Sequence, residues 1–306
     1  MFPQLKANVF NLPKHLIRLT KKLSNRLIFG QNRSIFKGSG IEFTDIREYV
    51  QGDDPRYIDW NVSARMNKLF VRNFQEEREI PVYALIDLES SLFFGTKNKL
   101  KIELLKELLF LIIAISLRLS ERFGTLITFK DEVAFFKPVK NFSQIYKILI
   151  FVENLIQDFK KDKFKYTRAG SNIEKLLKIA NQYLKRTSTI FVFSSFVDIK
   201  NYEVIDKYLR VLKKTKNNEV FVFKISDPAE IQIPPVGRIN LQDPYTLKTV
   251  EIEITPQLAE KFRKEATKKT ETIKNICIKN GITFENFLTT DNLEIKMMEF
   301  LRKKKS

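Results

Sequence analysis

Cysteine is nearly absent from this chain. Cys277 is the only one in 306 residues, which excludes an intrachain disulfide and any cysteine-rich zinc centre. Histidine is equally scarce: His15 stands alone in a basic N-terminal segment, so no histidine-based nucleophilic triad can be assembled. Cys277 falls among Ile273, Ile276 and Ile278, where it reads as a small buried apolar residue of a helix. Glycine and proline number only 9 and 10, without a low-complexity tract, so disorder is not expected away from the ends. Neither a G-x-x-x-x-G-K-[ST] phosphate loop nor a G-x-S-x-G elbow occurs. These absences argue against an enzyme.

Long apolar runs are missing too. The most apolar stretch, Leu108 to Leu117, spans about ten residues between Lys106-Glu107 and Arg118, against roughly 18 for a membrane-spanning helix. It reads as a buried helix core. Met1 to Pro13 lacks the apolar run and small-residue cleavage site of a signal peptide. The expectation is a cytoplasmic protein with no transmembrane segment. Acidic residues are also in deficit, 36 against 54 Lys and Arg, for a net charge of +18. One reading is a basic patch for nucleic acid or an anionic membrane surface. The other is a compositional bias towards Lys, Ile, Asn and Phe, favoured by the even spread of charge along the chain.

Residues 1–34 form a basic segment in which Leu12, Leu16, Leu19, Leu23 and Leu27 recur at helical spacing. Such a helix packs on its own domain or lies on an anionic membrane, and the first is favoured. From residue 80 to 306 apolar strands alternate with amphipathic helices. Strands are expected over Pro81–Asp87, Phe123–Lys130, Thr189–Ser195, Val220–Ile225 and Ile282–Leu288, and helices over Lys99–Arg122, Ile145–Phe159, Ile173–Leu184, Tyr202–Leu212 and Pro256–Asn280. The alternation predicts an α/β fold with a mostly parallel sheet and helices on both faces. A β-hairpin insertion is expected at about 227–255.

Residues 35–79 depart from this pattern. In a chain that prefers lysine, this stretch uses Arg47, Arg56, Arg65, Arg72 and Arg78, set among Asp53, Asp54, Asp59 and the sole tryptophan, Trp60. A guanidinium grips a carboxylate with two parallel hydrogen bonds, which lysine cannot do. The pattern predicts either an ion-pair network docking the segment on the α/β domain around Trp60, or a surface that recognises a charged partner. Asp53 and Asp54, in a Gly-Asp-Asp-Pro turn, would cap the residues that follow or bind a cation.

The run Gly38-Ser39-Gly40-Ile41-Glu42-Phe43, Arg47-Glu48-Tyr49, Gly52-Asp53-Asp54, Arg56, Ile58-Asp59-Trp60, Ser63-Ala64-Arg65, Val71-Arg72 and Phe74-Gln75-Glu76-Glu77-Arg78 resembles the signature of the "domain of unknown function 58" family. The resemblance implies a von Willebrand factor A-like, Rossmann-type domain. It also implies a protein-interaction adaptor or scaffold working with a MoxR-type AAA+ ATPase, or with its clients, in chaperone-like maturation. The alternative is a basic protein that binds nucleic acid or an anionic membrane surface.

The resemblance further implies a Mg²⁺ site at the strand ends, of the pattern Asp-x-Ser-x-Ser, then Thr, then Asp. Here Asp87, Glu89 and Ser91 occupy the first loop, Ser171 the Thr position and Ser195 the Asp position, with Asp198 nearby as a substitute. The set is degenerate, poor in carboxylate for a cation that takes about six oxygens. All five residues are expected at one end of the sheet, because each follows a parallel strand or opens a loop there.

Overall fold

The computed structural model describes residues 18–23, 25, 41–76, 80–97, 99–129, 132–161, 170–215, 217–234, 236–243 and 248–303. In chain order, strand β1 (Ile41–Glu48), helix α1 (Trp60–Met66) and strand β2 (Phe70–Glu76) come first. Then follow β3 (Val82–Leu88), α2 (Lys101–Arg118), β4 (Phe123–Phe129), β5 (Glu132–Val139), α3 (Phe142–Lys161) and α4 (Ile173–Tyr183). The chain continues through β6 (Thr189–Ser194), α5 (Tyr202–Lys214), β7 (Glu219–Ser226) and the short α6 (Pro228–Ile231). It ends with β8 (Gly237–Gln242), β9 (Thr249–Ile254), α7 (Pro256–Lys279), β10 (Thr283–Leu288) and α8 (Leu293–Lys303).

Six strands make the central sheet in the order β10-β7-β6-β3-β4-β5. All neighbours are parallel except β4 and β5, which form an antiparallel edge. The architecture is a mixed α/β, Rossmann-like sheet. Every residue of β3 and β6 is buried, as expected of strands covered on both faces. The pleat sends Val82, Ala84, Ile86 and Leu88 into the core formed with α2, α3 and α8, and Tyr83 and Leu85 into the core formed with α4, α5 and α7. Phenylalanines interlock the first core: Phe223 packs edge-on against Phe287 at 4.9 Å and Phe300 at 5.1 Å.

The chain runs outward from β3 in both directions, to β4 on one side and to β6 on the other. That reversal leaves a crevice beyond the C-terminal ends of the strands, where open α/β sheets place their sites. Helix α2 stops at Arg118, short of the expected Arg122, because Ser120 takes a left-handed φ of 59° and turns the chain into β4.

Helical residues 18–23 bury Leu19 and Leu23 in the α2 core, and Arg118 donates to the Lys21 carbonyl at 3.4 Å. Leu12, Leu16 and Leu27 lie outside the described residues. Among the described residues no helix is long and apolar enough to cross a membrane. β8 and β9 pair as a separate antiparallel hairpin.

Residues 41–76 fold as a unit that strand spacing alone did not reveal. β1 and β2 pair antiparallel, with an irregularity between Phe43 and Asp45 that breaks the two-residue alternation.

Candidate functional site

The ends of β3 and β6 bring together all five strand-end residues singled out in the sequence, in two adjoining groups. In the first, Asp87 is fully buried at the end of β3. Its carboxylate accepts from Ser171 Oγ at 2.7 Å, Ser194 Oγ at 3.0 Å and the Asn172 amide at 2.9 Å. Burial pushes its pKa up, and these hydrogen bonds oppose the shift. The Asp198 carboxylate lies against the same loop, 3.7 Å from where a Cβ on Gly170 would stand. Ala169 lies outside the described residues.

In the second group Ser195 Oγ donates to Glu89, and Ser91 Oγ lies 2.8 Å from Ser195 Oγ. Sequence reasoning did not place Lys101 or Lys224 in this group. Lys101, at the start of α2, has a side chain with no exposure, and its Nζ donates to Ser91 Oγ at 3.3 Å and to Glu230 Oε1 at 2.5 Å. Lys224 of β7 is buried beside them and donates to Ser226 Oγ at 2.7 Å. Burial lowers its pKa to about 8, assisted by Lys101 and opposed by Glu230 and Glu89. One signal was available: Lys224 interrupts the apolar run of β7.

Asp227 straps the neighbouring loops together. It accepts from Thr96 Oγ1 at 2.5 Å, Thr289 Oγ1 at 2.7 Å and the Ala229 amide at 3.0 Å. Burial works against its ionisation, but these donors outweigh it and hold the pKa below the usual carboxylate range.

The Mg²⁺ implied by the resemblance does not fit these residues. Asp87 already accepts three hydrogen bonds. Ser91 and Ser195 are committed to a chain running from an ammonium to Glu89, and a hard dication sheds water reluctantly even for a full set of oxygens. Among the described residues no group of three or more His, Cys, Asp or Glu is placed to hold a metal.

The second candidate surface is the β1–α1–β2 unit. Arg47 makes the two-pronged grip on Asp53, with both bonds at 2.7 Å, and the Val50 amide donates to the same carboxylate at 2.9 Å. Asp54 accepts from Arg56 Nη2 at 2.6 Å and from the Arg56 amide at 3.0 Å, so it caps the turn at Pro55, ahead of Ile58. Asp59 is the hinge. It caps α1 through the Asn61 and Val62 amides at 3.1 and 3.2 Å and accepts from Arg72 Nε at 2.8 Å. The Arg72 bond, then the Val62 amide, hold its pKa below the usual value. Ser63 completes the clamp by accepting from the Phe70 amide at 2.9 Å.

These ion pairs run inside the unit. The expectation that the segment docks around Trp60 is not met, because Trp60 is 66% exposed. Tyr57, Met66, Val50 and Leu69 are exposed on the same unit. Arg65 is exposed, with no carboxylate partner among the described residues. Arg78 lies outside the described residues.

A family model described as "Protein of unknown function DUF58" matches residues 45–272, which include the strand-end cluster and most of the β1–α1–β2 unit. Uncharacterized proteins of Mycobacterium bovis and Mycobacterium tuberculosis are 24% identical over 250 residues, 80% of this chain and 74% of theirs. Among solved structures, that of an aerotolerance-related membrane protein from Bacteroides fragilis NCTC 9343 with multiple mutations to serines is similar, with a TM-score of 0.43 and 11% identity. It covers 73% of this chain and 99% of that one.

Proposed function

The chain belongs to the DUF58 family, and on that premise we propose that it is a non-catalytic, cytoplasmic protein-interaction adaptor of von Willebrand factor A-like type that presents Trp60 to a protein partner. The observation that carries this reading is the 66% exposure of the sole tryptophan on a unit held rigid at every turn by Asp53, Asp54, Asp59 and Ser63. Leaving an indole in water forgoes a large burial energy, and tryptophan and arginine are the residues that dominate binding hot spots. A platform fixed before binding loses little entropy when a partner arrives. The partner class we favour is a MoxR-type AAA+ ATPase or one of its clients. The buried carboxylates at the strand ends support the absence of catalysis, since each is engaged by hydroxyls, amides or an ammonium.

The test is calorimetry with a purified MoxR-type ATPase. Trp60→Ala is expected to weaken binding at least tenfold, the effect of losing a hot-spot side chain at about 1.4 kcal/mol or more. Tyr183→Ala, an exposed aromatic on α4, is the control and should bind as the parent does. Equal affinity of the Trp60 variant and the parent would sink the platform reading. The alternative, a nucleic-acid or anionic-membrane binder, draws support from α7, whose exposed Lys261, Lys264 and Lys268 lie along one stripe. It requires retention on DNA or anionic vesicles that survives physiological salt.

A further inference from the structure

We propose that the ammonium of Lys101 stands in place of a divalent metal at the strand-end site, and that Glu230 is the in-chain carboxylate that completes it. The inference does not depend on the Trp60 platform.

A lysine with no solvent exposure is costly unless its charge is matched, and this one is matched by construction. Both oxygens of Glu230 are committed: Oε1 accepts from Lys101 at 2.5 Å and Oε2 from the Asp227 amide at 3.0 Å. An ammonium can only donate. Ser91 therefore accepts from Lys101, passes its own proton towards Ser195, and Ser195 donates to Glu89. The hydroxyl protons all point one way, from the ammonium to a buried carboxylate. A divalent ion at the same hydroxyls would face Lys101 at hydrogen-bond distance and Lys224 close by. Lys101 is already paired with Glu230.

The backbone is shaped to deliver this pair. The Lys101 amide donates to the Phe94 carbonyl at 2.9 Å, folding the loop back on itself. Thr96, in that loop, is tied to Asp227, which opens the helix carrying Glu230. Two straps, Thr96–Asp227 and Lys101–Glu230, thus join the end of β3 to the end of β7.

The experiment has two arms on the whole chain. Titration of the parent protein with Mn²⁺, followed by electron paramagnetic resonance, should show no binding tighter than millimolar, and EDTA should leave the melting midpoint unchanged. Lys101→Met keeps the length of the stem and removes the charge. It should lower the midpoint by roughly 10 °C, the scale expected when one member of a buried ion pair is lost. Adding Glu230→Gln should restore part of that loss, because the stranded carboxylate is then neutral. Micromolar Mn²⁺ binding by the parent that disappears in Asp87→Ala would overturn the proposal. So would a Lys101→Met protein as stable as the parent. Should Lys101→Met fail to fold, the Mn²⁺ titration of the parent decides alone.

Discussion

Ser194 and Ser195 are neighbours in the chain, yet their hydroxyls serve different carboxylates: Ser194 Oγ donates to Asp87 at 3.0 Å, and Ser195 Oγ donates to Glu89. Ser194 is the last residue of β6 and Ser195 the first beyond it. The end of one strand thus joins a hydroxyl-lined carboxylate to a group containing two buried lysines.

Asp59→Asn should loosen the β1–α1–β2 unit while sparing the α/β core. The change removes the charge that grips Arg72 and weakens the cap on α1. Loss of an N-cap predicts hydrogen exchange at the Asn61 and Val62 amides that is roughly tenfold faster. Unchanged exchange at both amides would show that Ser63 and the strand pairing hold α1 without Asp59.

Acid below about pH 4 should act on the same unit. Asp53, Asp54 and Asp59 all have pKa values held below the ordinary range, chiefly by their arginine partners. A depressed carboxylate pKa contributes stability that is present above the unfolded value, about 4, and is lost as pH falls through the folded value. Quenching of Trp60 fluorescence by iodide should stay constant from neutral pH down to about 4 and change below it. A change centred near pH 6 would point to another group.

Alkali should stabilise the sheet through Lys224. Its folded pKa, lowered to about 8 by burial, lies below the ordinary 10.5. Between those values the unfolded chain binds the extra proton, so stability rises with pH. The parent should gain more between pH 8 and 10 than a Lys224→Met variant, measured as the difference in urea midpoints. Parallel pH profiles would mean that Lys224 titrates as an exposed lysine does.

Gly95→Ala should disturb the site without touching any of its polar groups. A Cβ at Gly95 would come within 2.3 Å of the Lys99 carbonyl oxygen, so the loop leading into Lys101 must move. The expected result is a lower melting midpoint that is not additive with Lys101→Met, because both changes act on the same pair. Full additivity would separate the loop from the site.

Cys277 should resist alkylation in the native state. Burial pushes its thiol up to about 12, so almost no thiolate exists at neutral pH. Labelling by iodoacetamide should appear only as the protein unfolds in denaturant. Prompt labelling of the native protein would mean that the core around α7 opens locally.

Much of the sheet was legible because strands buried on both faces leave continuous apolar runs, as in β3 and β6. The convergence of Asp87, Glu89, Ser91, Ser171 and Ser195 followed from parallel topology, which puts every β-to-α loop at one end. Lys101 was not legible. In a lysine-rich chain a buried lysine at a helix start looks like any other, and only tertiary packing brings Glu230, 129 positions away, onto it. The pairing of β1 with β2 was hidden because the irregularity between Phe43 and Asp45 shifts the alternation midway.

The helical turn that buries Leu19 and Leu23 also touches the last helix: Lys22 pairs with Glu294, 272 positions later, at 2.5 Å. Leu19, Leu23 and Phe300 of α8 lie in one core. That core is closed by segments far apart in the chain, so part of it rests on contacts of high sequence separation, the kind whose loop-closure entropy must be met before they add stability.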